Sequence, residues 1–396
     1  MVMAALPLLL AGAIFGRADG AQAKDAGEGC AGETLGIAVL ASPLTPWKGA
    51  PLRVVLTSET PVEGELSLIA PGGAVAARSK QRHGGPPYFW TTEVAAPAAG
   101  KWQARLARAG AAAECAPISR DITVEGARPS PPPTRPGSVW PQRASWNRDV
   151  ESFYSAWIET LFDAPLEEAP SWKALHEVLR DRSRNLLFNH LGAREDEKGI
   201  AITPDCADLP YFLRAYFAFK MGLPFGYAKC TRGGGGHPPR CPQWWNIEKE
   251  EPPPAPLEDA RDKEAGDTAQ PGLFSGLFGK QEPTKPTKAA KPPPPKPQGL
   301  VPVFAAYLQT LREGVHSGSG RTAATDEETD YYPVPLNQDA LRPGTVYAHP
   351  YGHLLVIARR LPQSGDTAGV LLAVDGQPDG TVARKRFWRG NFLFAQ

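Results

Sequence analysis

The sequence predicts a multidomain chain: an N-terminal β-sandwich, then an α+β domain, behind an export signal. Three observations predict it. Residues 33–126 read as short apolar runs at strand spacing, the remainder mixes helical periods with strands, and proline-rich stretches separate and interrupt the two parts. With 396 residues, 42% of them hydrophobic, the chain can bury two or three ordinary cores. A formal net charge of +1 gives no electrostatic footprint for nucleic acid, so that class of partner is not expected.

The apolar run 4–15 is too short to span a bilayer, and Ala21-Gln22-Ala23 resembles a small-residue cleavage site. We read residues 1–23 as a signal peptide, although no Lys or Arg precedes the run. A buried N-terminal helix is the alternative. The mature chain is then exported, periplasmic or extracellular, with no stable membrane span.

Residues 24–126 carry the sandwich. "LGIAVLAS", "LRVVLTSE", "GELSLIAP", "YFWTTEVAA", "KWQARLAR" and "RDITVEG" read as strands, with "APGG" and "APAAG" as turns. Strands of this length, with no helical period between them, suggest the immunoglobulin-like class. His83, in "RHGGPPY", reads as a solvated loop residue.

Residues 127–144, "ARPSPPPTRPGSVWPQRA", form a proline-rich linker, extended and semi-rigid. The second domain spans 145–396. Phe153, Trp157 and Leu161 mark one helix; Leu175, Leu179, Leu186 and Leu187 mark a second over 171–192, with Ser171 as N-cap and Gly192 as stop. His176 and His190 read there as packed or surface residues. Residues 249–299 are charged, proline-rich and poor in β-branched residues, which predicts a disordered insertion with "LFSGLFG" as its apolar island. A helix over "LVPVFAAYLQTLREGV" and a series of strands follow it. The proline-rich segments are candidate docking arms for envelope proteins.

Export makes the five cysteines a disulfide question. Cys30 and Cys115 bracket the sandwich, and Cys230 and Cys241 bracket a Gly/Pro-rich loop. Pairing each couple leaves Cys206 alone, although spacing does not prove connectivity. Cys230, His237 and Cys241 lack the short paired spacing of a zinc site, so no metal and no cofactor is expected. "CPQWWN" beyond the loop offers two tryptophans for a cleft wall or for the core.

Cys206 precedes "ADLPYFLRAYFAFKMG", an apolar helix with proline at a tolerated early position. First-turn amides favour a thiolate there, while Asp205 and Asp208 oppose it. The alternative is a small buried hydrophobe. A nucleophile needs a base, and the base an orienting group. "TVYAH" and "HLLVIAR" read as strands joined by "PYG", which sets His353 at a strand start and His349 at the end of the strand before. "GVLLAVD" ends at Asp375, whose carboxylate is placed to accept the imidazole Nδ1 proton.

That order, a cysteine-start helix followed by a strand-start histidine and a polar residue on the next strand, is similar to papain-like folds. "DCADLPYFLRAYFAFKMGLPF" and "LRPGTVYAHPYGHLLVIA" resemble NlpC-type cell-wall peptidases, and also bacterial transglutaminase-like domains. The resemblance covers 200–230 and 340–380. It departs at Ala207-Asp208, at Thr345 and in the long interval between His353 and Asp375. It implies a papain-like α+β domain with Cys206, His353 and Asp375 in the three catalytic positions. It further implies acyl transfer through a thioester on a peptide or peptidoglycan substrate, with helix-start amides holding the oxyanion. Water as acceptor gives a peptidase or amidase, and an amine gives a transglutaminase-like acyltransferase. A non-catalytic envelope interaction protein is the remaining reading.

Overall fold

The computed structural model describes residues 36–109, 117–133, 137–197, 200–248 and 299–390. The signal-peptide stretch, Cys30, Cys115 and all of the 249–299 insertion but Gly299 lie outside the described residues.

Eight strands build the first domain: β1 (Ile37–Ser42), β2 (Leu52–Ser58), β3 (Gly64–Ile69), β4 (Val75–Ser79), β5 (His83–Gly84), β6 (Tyr88–Val94), β7 (Gly100–Arg108) and β8 (Ile118–Val124). They form two antiparallel four-stranded sheets, ordered β1-β2-β6-β5 and β4-β3-β7-β8. Alternation along the strands aims one face of each sheet inward. Leu52, Val54, Leu56 and Trp90 from the first sheet meet Leu66, Leu68, Trp102 and Leu106 from the second in one core. Each such side chain, fully buried, stabilises the fold by roughly 1.5–3 kcal/mol. His83 is not solvated as predicted. It sits in β5, half-buried and stacked on Phe89 at 5.2 Å, and burial lowers its pKa.

The second domain begins with α1 (Arg148–Leu161), whose N-cap Asn147 accepts from the Val150 amide at 2.9 Å and whose first turn carries Asp149 and Glu151. After β9 (Ser171–Trp172) and the short α2 (Leu175–Leu179) comes α3 (Asp208–Met221), which stops at Gly222 in the left-handed region at φ 67°. β10 (Gly226–Lys229) pairs with β11 (Gln243–Asn246), and α4 (Leu300–Gly314) lies against α3 with Phe304 stacked on Phe219 at 4.1 Å. The chain closes with β12 (Val346–Ala348), β13 (Leu354–Leu361), β14 (Gly369–Gly376) and β15 (Val382–Gly390). These make a five-stranded antiparallel sheet ordered β12-β13-β14-β15-β9, on which α3 packs through β13 and β14. Both faces of β14 are buried along its whole length, so the sheet is covered on each side there.

The helix predicted over 171–192 does not form. Ser171 and Trp172 pair instead with Ala383 and Val382 of β15, and helix persists only over Leu175–Leu179. Asn185 explains the break. Its buried amide donates to the Leu179 carbonyl and the Tyr216 hydroxyl and accepts from Trp157 and from the Leu187 amide. The two tertiary hydrogen bonds, with Trp157 and Tyr216, and the two local ones that cap the turn together outweigh the local helical period.

The proline-rich stretch 127–144 has no helix or strand among its described residues, yet its second half is packed. Trp140 is 1% exposed, donates to the Leu223 carbonyl at 2.9 Å and joins the main core. The two domains share that core. Val55 and Phe89 of the sandwich belong to it, and Glu59 accepts from Arg148, Ser152 and Arg342 of the second domain.

Candidate functional site

The loop before α3 is organised by Asp205. Its Oδ1 accepts from the Ala207 and Asp208 amides at 2.8 and 3.0 Å, and the Asp208 carboxylate reaches back to the Asp205 amide at 3.4 Å. This reciprocal arrangement has the logic of a capping box and starts the helix directly after Cys206. The helix-start amides of Ala207 and Asp208 are therefore taken by a carboxylate. They are not free to receive an oxyanion as the sequence implied.

Cys206 is a free, half-buried thiol; Cys230 and Cys241 form a disulfide. Burial pushes the Cys206 thiol up, and the negative charges of Asp205 and Asp375 add to the rise, while the Leu354 amide, hydrogen-bonded to the sulfur, opposes it. The helix start does not yield a lowered thiol here. Burial and two carboxylates outweigh it.

Leu354 opens β13, so the sulfur lies against the strand residue next to His353. His353 immediately precedes the strand, and its Nε2 lies 2.8 Å from Asp375 Oδ2. The geometry follows from the pleat. Val356 pairs with Val374, and continuing that register sets Leu355 opposite Asp375, so His353, two residues back, shares their face. The ring is turned over relative to the sequence expectation. Nε2 faces the carboxylate, which leaves Nδ1 without a hydrogen-bond partner among the described residues.

Asp375 is fully buried, and its Oδ2 also receives Lys385 Nζ at 2.5 Å. On β15, Ala383 pairs with Asp375, and Lys385, two residues on, shares its face. Asp375 Oδ1 is buried with no hydrogen-bond partner among the described residues.

Cys206 and His353 line one cavity of about 480 Å³, with Asp205, Asp208, Arg232, Arg312, His316, Ser317 and Tyr351. No direct hydrogen bond joins Cys206 to His353 among the described residues. Asp208 is pushed up to about 7, by burial first and by Asp205 second, against the pull of Arg312, whose Nε is 3.7 Å away. His316 donates from Nε2 to the Cys230 carbonyl at 2.7 Å and accepts at Nδ1 from the Gly318 amide at 3.0 Å, which fixes a neutral tautomer.

His349 does not line this cavity. Its Nδ1 accepts from the Tyr351 amide within the β12–β13 turn, so of the two histidines His353 is the one the fold brings to Cys206. Trp244 is exposed and Trp245 packs against the core, and neither lines the cavity. Among the described residues no group of three or more His, Cys, Asp or Glu is arranged to hold a metal ion, and no helix is long and apolar enough to cross a membrane. Sequence reasoning missed Lys385, Arg232, Arg312 and His316. Lys385 carried a signal in its alternation with Ala383, but only the β14–β15 register gives that alternation meaning.

In comparison with known proteins, the chain matches no family model and no curated protein.

Proposed function

We propose that the chain is an exported thiol hydrolase that cleaves amide bonds in cell-wall peptides, with its second domain in the papain-like α+β class and its sandwich in the immunoglobulin-like class. The observation that carries the reading is the pairing of His353 with buried Asp375 on the wall of the cavity that holds the one free thiol among the described residues. The Cys230–Cys241 disulfide fits an oxidising compartment.

The reaction begins as Cys206 Sγ bonds to the amide carbonyl carbon and its proton passes to His353 Nδ1. The carbonyl π pair moves to the carbonyl oxygen. Collapse re-forms the carbonyl and breaks the C–N bond, and the leaving amine takes the proton from Nδ1, giving a thioester. Water then loses a proton to Nδ1 as its oxygen bonds to the same carbon, and thiolate departure with return of that proton restores Cys206. Asp375 holds the ring by Nε2 throughout. An amine in place of water gives the acyltransferase version.

Purified peptidoglycan sacculi incubated with the mature protein test the reading, with released peptides followed by mass spectrometry. The wild type releases them and Cys206→Ala does not. His353→Ala lowers iodoacetamide alkylation of Cys206 at neutral pH roughly tenfold or more, as loss of a general base requires. No release from sacculi, together with alkylation indifferent to His353, would leave the non-catalytic envelope protein as the surviving reading.

A further inference from the structure

One oxygen of Asp375 serves two donors. His353 Nε2 at 2.8 Å and Lys385 Nζ at 2.5 Å both reach Oδ2, while Oδ1 stays buried without a partner among the described residues. A carboxylate that faced only an imidazole would give its whole charge to an imidazolium. Here a fixed ammonium already neutralises it.

We propose that Lys385 is a positioning residue that shares Asp375 with His353, so that the resting Cys206–His353 pair is an uncharged thiol and imidazole and the proton moves only as the substrate carbonyl is attacked. This rests on the thiol-hydrolase reading and specifies its resting state.

The groups around the pair agree with it. Asp205 lies one residue from the thiol and lines the cavity, so a thiolate would face its carboxylate, and Asp208, two residues away, is held toward its neutral form by burial and adds no cation there. The cations that face the cavity are Arg232 on the disulfide loop and Arg312 on α4, and Arg312 is engaged with Asp208 at 3.7 Å. His316, on the turn after α4, is held as the neutral tautomer by its two hydrogen bonds, and Tyr351 completes the wall. Burial raises the thiol in the same direction. Lys385 is half-exposed and joins the charge balance only through Asp375.

The test compares wild type, Lys385→Met, Lys385→Gln and Lys385→Arg by thiolate absorbance near 240 nm and by the pH profile of Cys206 alkylation with iodoacetamide. Wild type shows no alkylation-sensitive thiolate absorbance at about pH 6, where an ordinary thiol is also protonated. Removing the ammonium leaves Asp375 to stabilise an imidazolium, so Met and Gln develop that absorbance and their alkylation profiles move down by about one pH unit, a tenfold gain at fixed low pH. Lys385→Arg keeps the wild-type profile. Gln serves if Met fails to fold, and the wild-type absorbance stands without any variant. A wild-type thiolate at about pH 6, or profiles unmoved in both Met and Gln, overturns the proposal. His353→Ala separates the two levels: if it shifts the profile and the Lys385 variants do not, the Lys385 proposal fails alone; if it too has no effect, the thiol-hydrolase reading fails as well.

Discussion

The Asp205 carbonyl packs onto the α-carbon of Gly376, the strand residue next to Asp375, leaving no room for a side chain: a Cβ there would also lie 2.8 Å from the Pro204 oxygen. The loop that carries Cys206 thus rests on the strand that carries Asp375. Neither neighbour is the end of a flexible side chain, so backbone must move if Gly376 acquires a methyl.

Gly376→Ala is expected to shift the Cys206 loop away from His353. Turnover should fall by roughly a hundredfold, in line with an ångström-scale misplacement of reacting groups. Urea unfolding and activity measured on one preparation check this. Equal losses in both would point to general destabilisation rather than misplacement.

The disulfide closes the loop that carries Arg232, and its Cys230 carbonyl receives His316. Alkylation of the native protein should label Cys206 and spare Cys230 and Cys241, which become reactive only after reduction. Replacing both with Ala should lower stability by about 3 kcal/mol, the magnitude for closing a short loop. Peptide mapping with and without reductant reads the first expectation, and denaturant titration the second.

His190 is fully buried where the domains meet, with Nδ1 3.1 Å from the Ser42 hydroxyl. Burial, aided by Lys220, lowers its pKa to about 3. The folded protein keeps this ring neutral where the unfolded chain protonates it, so its contribution to stability is present above about 6.5 and lost as pH falls toward 3. Glu159, raised to about 7 by burial, acts in the opposite sense between its unfolded value and 7. The difference between wild type and His190→Gln isolates the histidine: the wild-type slope should be the steeper on acidification, by at most about 1.4 kcal/mol per pH unit. Parallel curves from neutral pH to about pH 4 would refute this.

Lys220 is fully buried and bridges Glu195 at 2.6 Å and Asp196 at 2.5 Å, tying α3 to the loop before it. Lys220→Met leaves two buried carboxylates without their cation and should destabilise by about 3–5 kcal/mol. Thermal unfolding reads it out. A change below about 1 kcal/mol would mean that the loop re-exposes both acids at little expense.

What was legible in the sequence was local. Strands β1, β2, β3, β6, β7 and β8 carry alternation or apolar runs long enough to read, whereas β4 (Val75–Ser79) is short with alanine at two of its five positions and β5 is two residues long. His353 and Asp375 were legible because one immediately precedes a strand and the other lies near the end of the next. The roles of Lys385 and Gly376 were not, since they depend on which strand lies beside β14 and on what passes over its end. The failed helix over 171–192 has the same cause: Asn185 reads as an ordinary polar residue until Trp157 and Tyr216 are placed around it.

Glu59 leaves the sandwich and takes hydrogen bonds from Arg148 and Ser152 at the start of the second domain's chain and from Arg342 just before its last four strands. With Val55 and Phe89 built into the main core, the sandwich is the floor on which the second domain stands. Severing the peptide between the two would yield fragments that remain a noncovalent heterodimer. Neither half is a free-standing cassette, and gene fusions that transplant the thiol-bearing half without its floor would expose an unsealed apolar face.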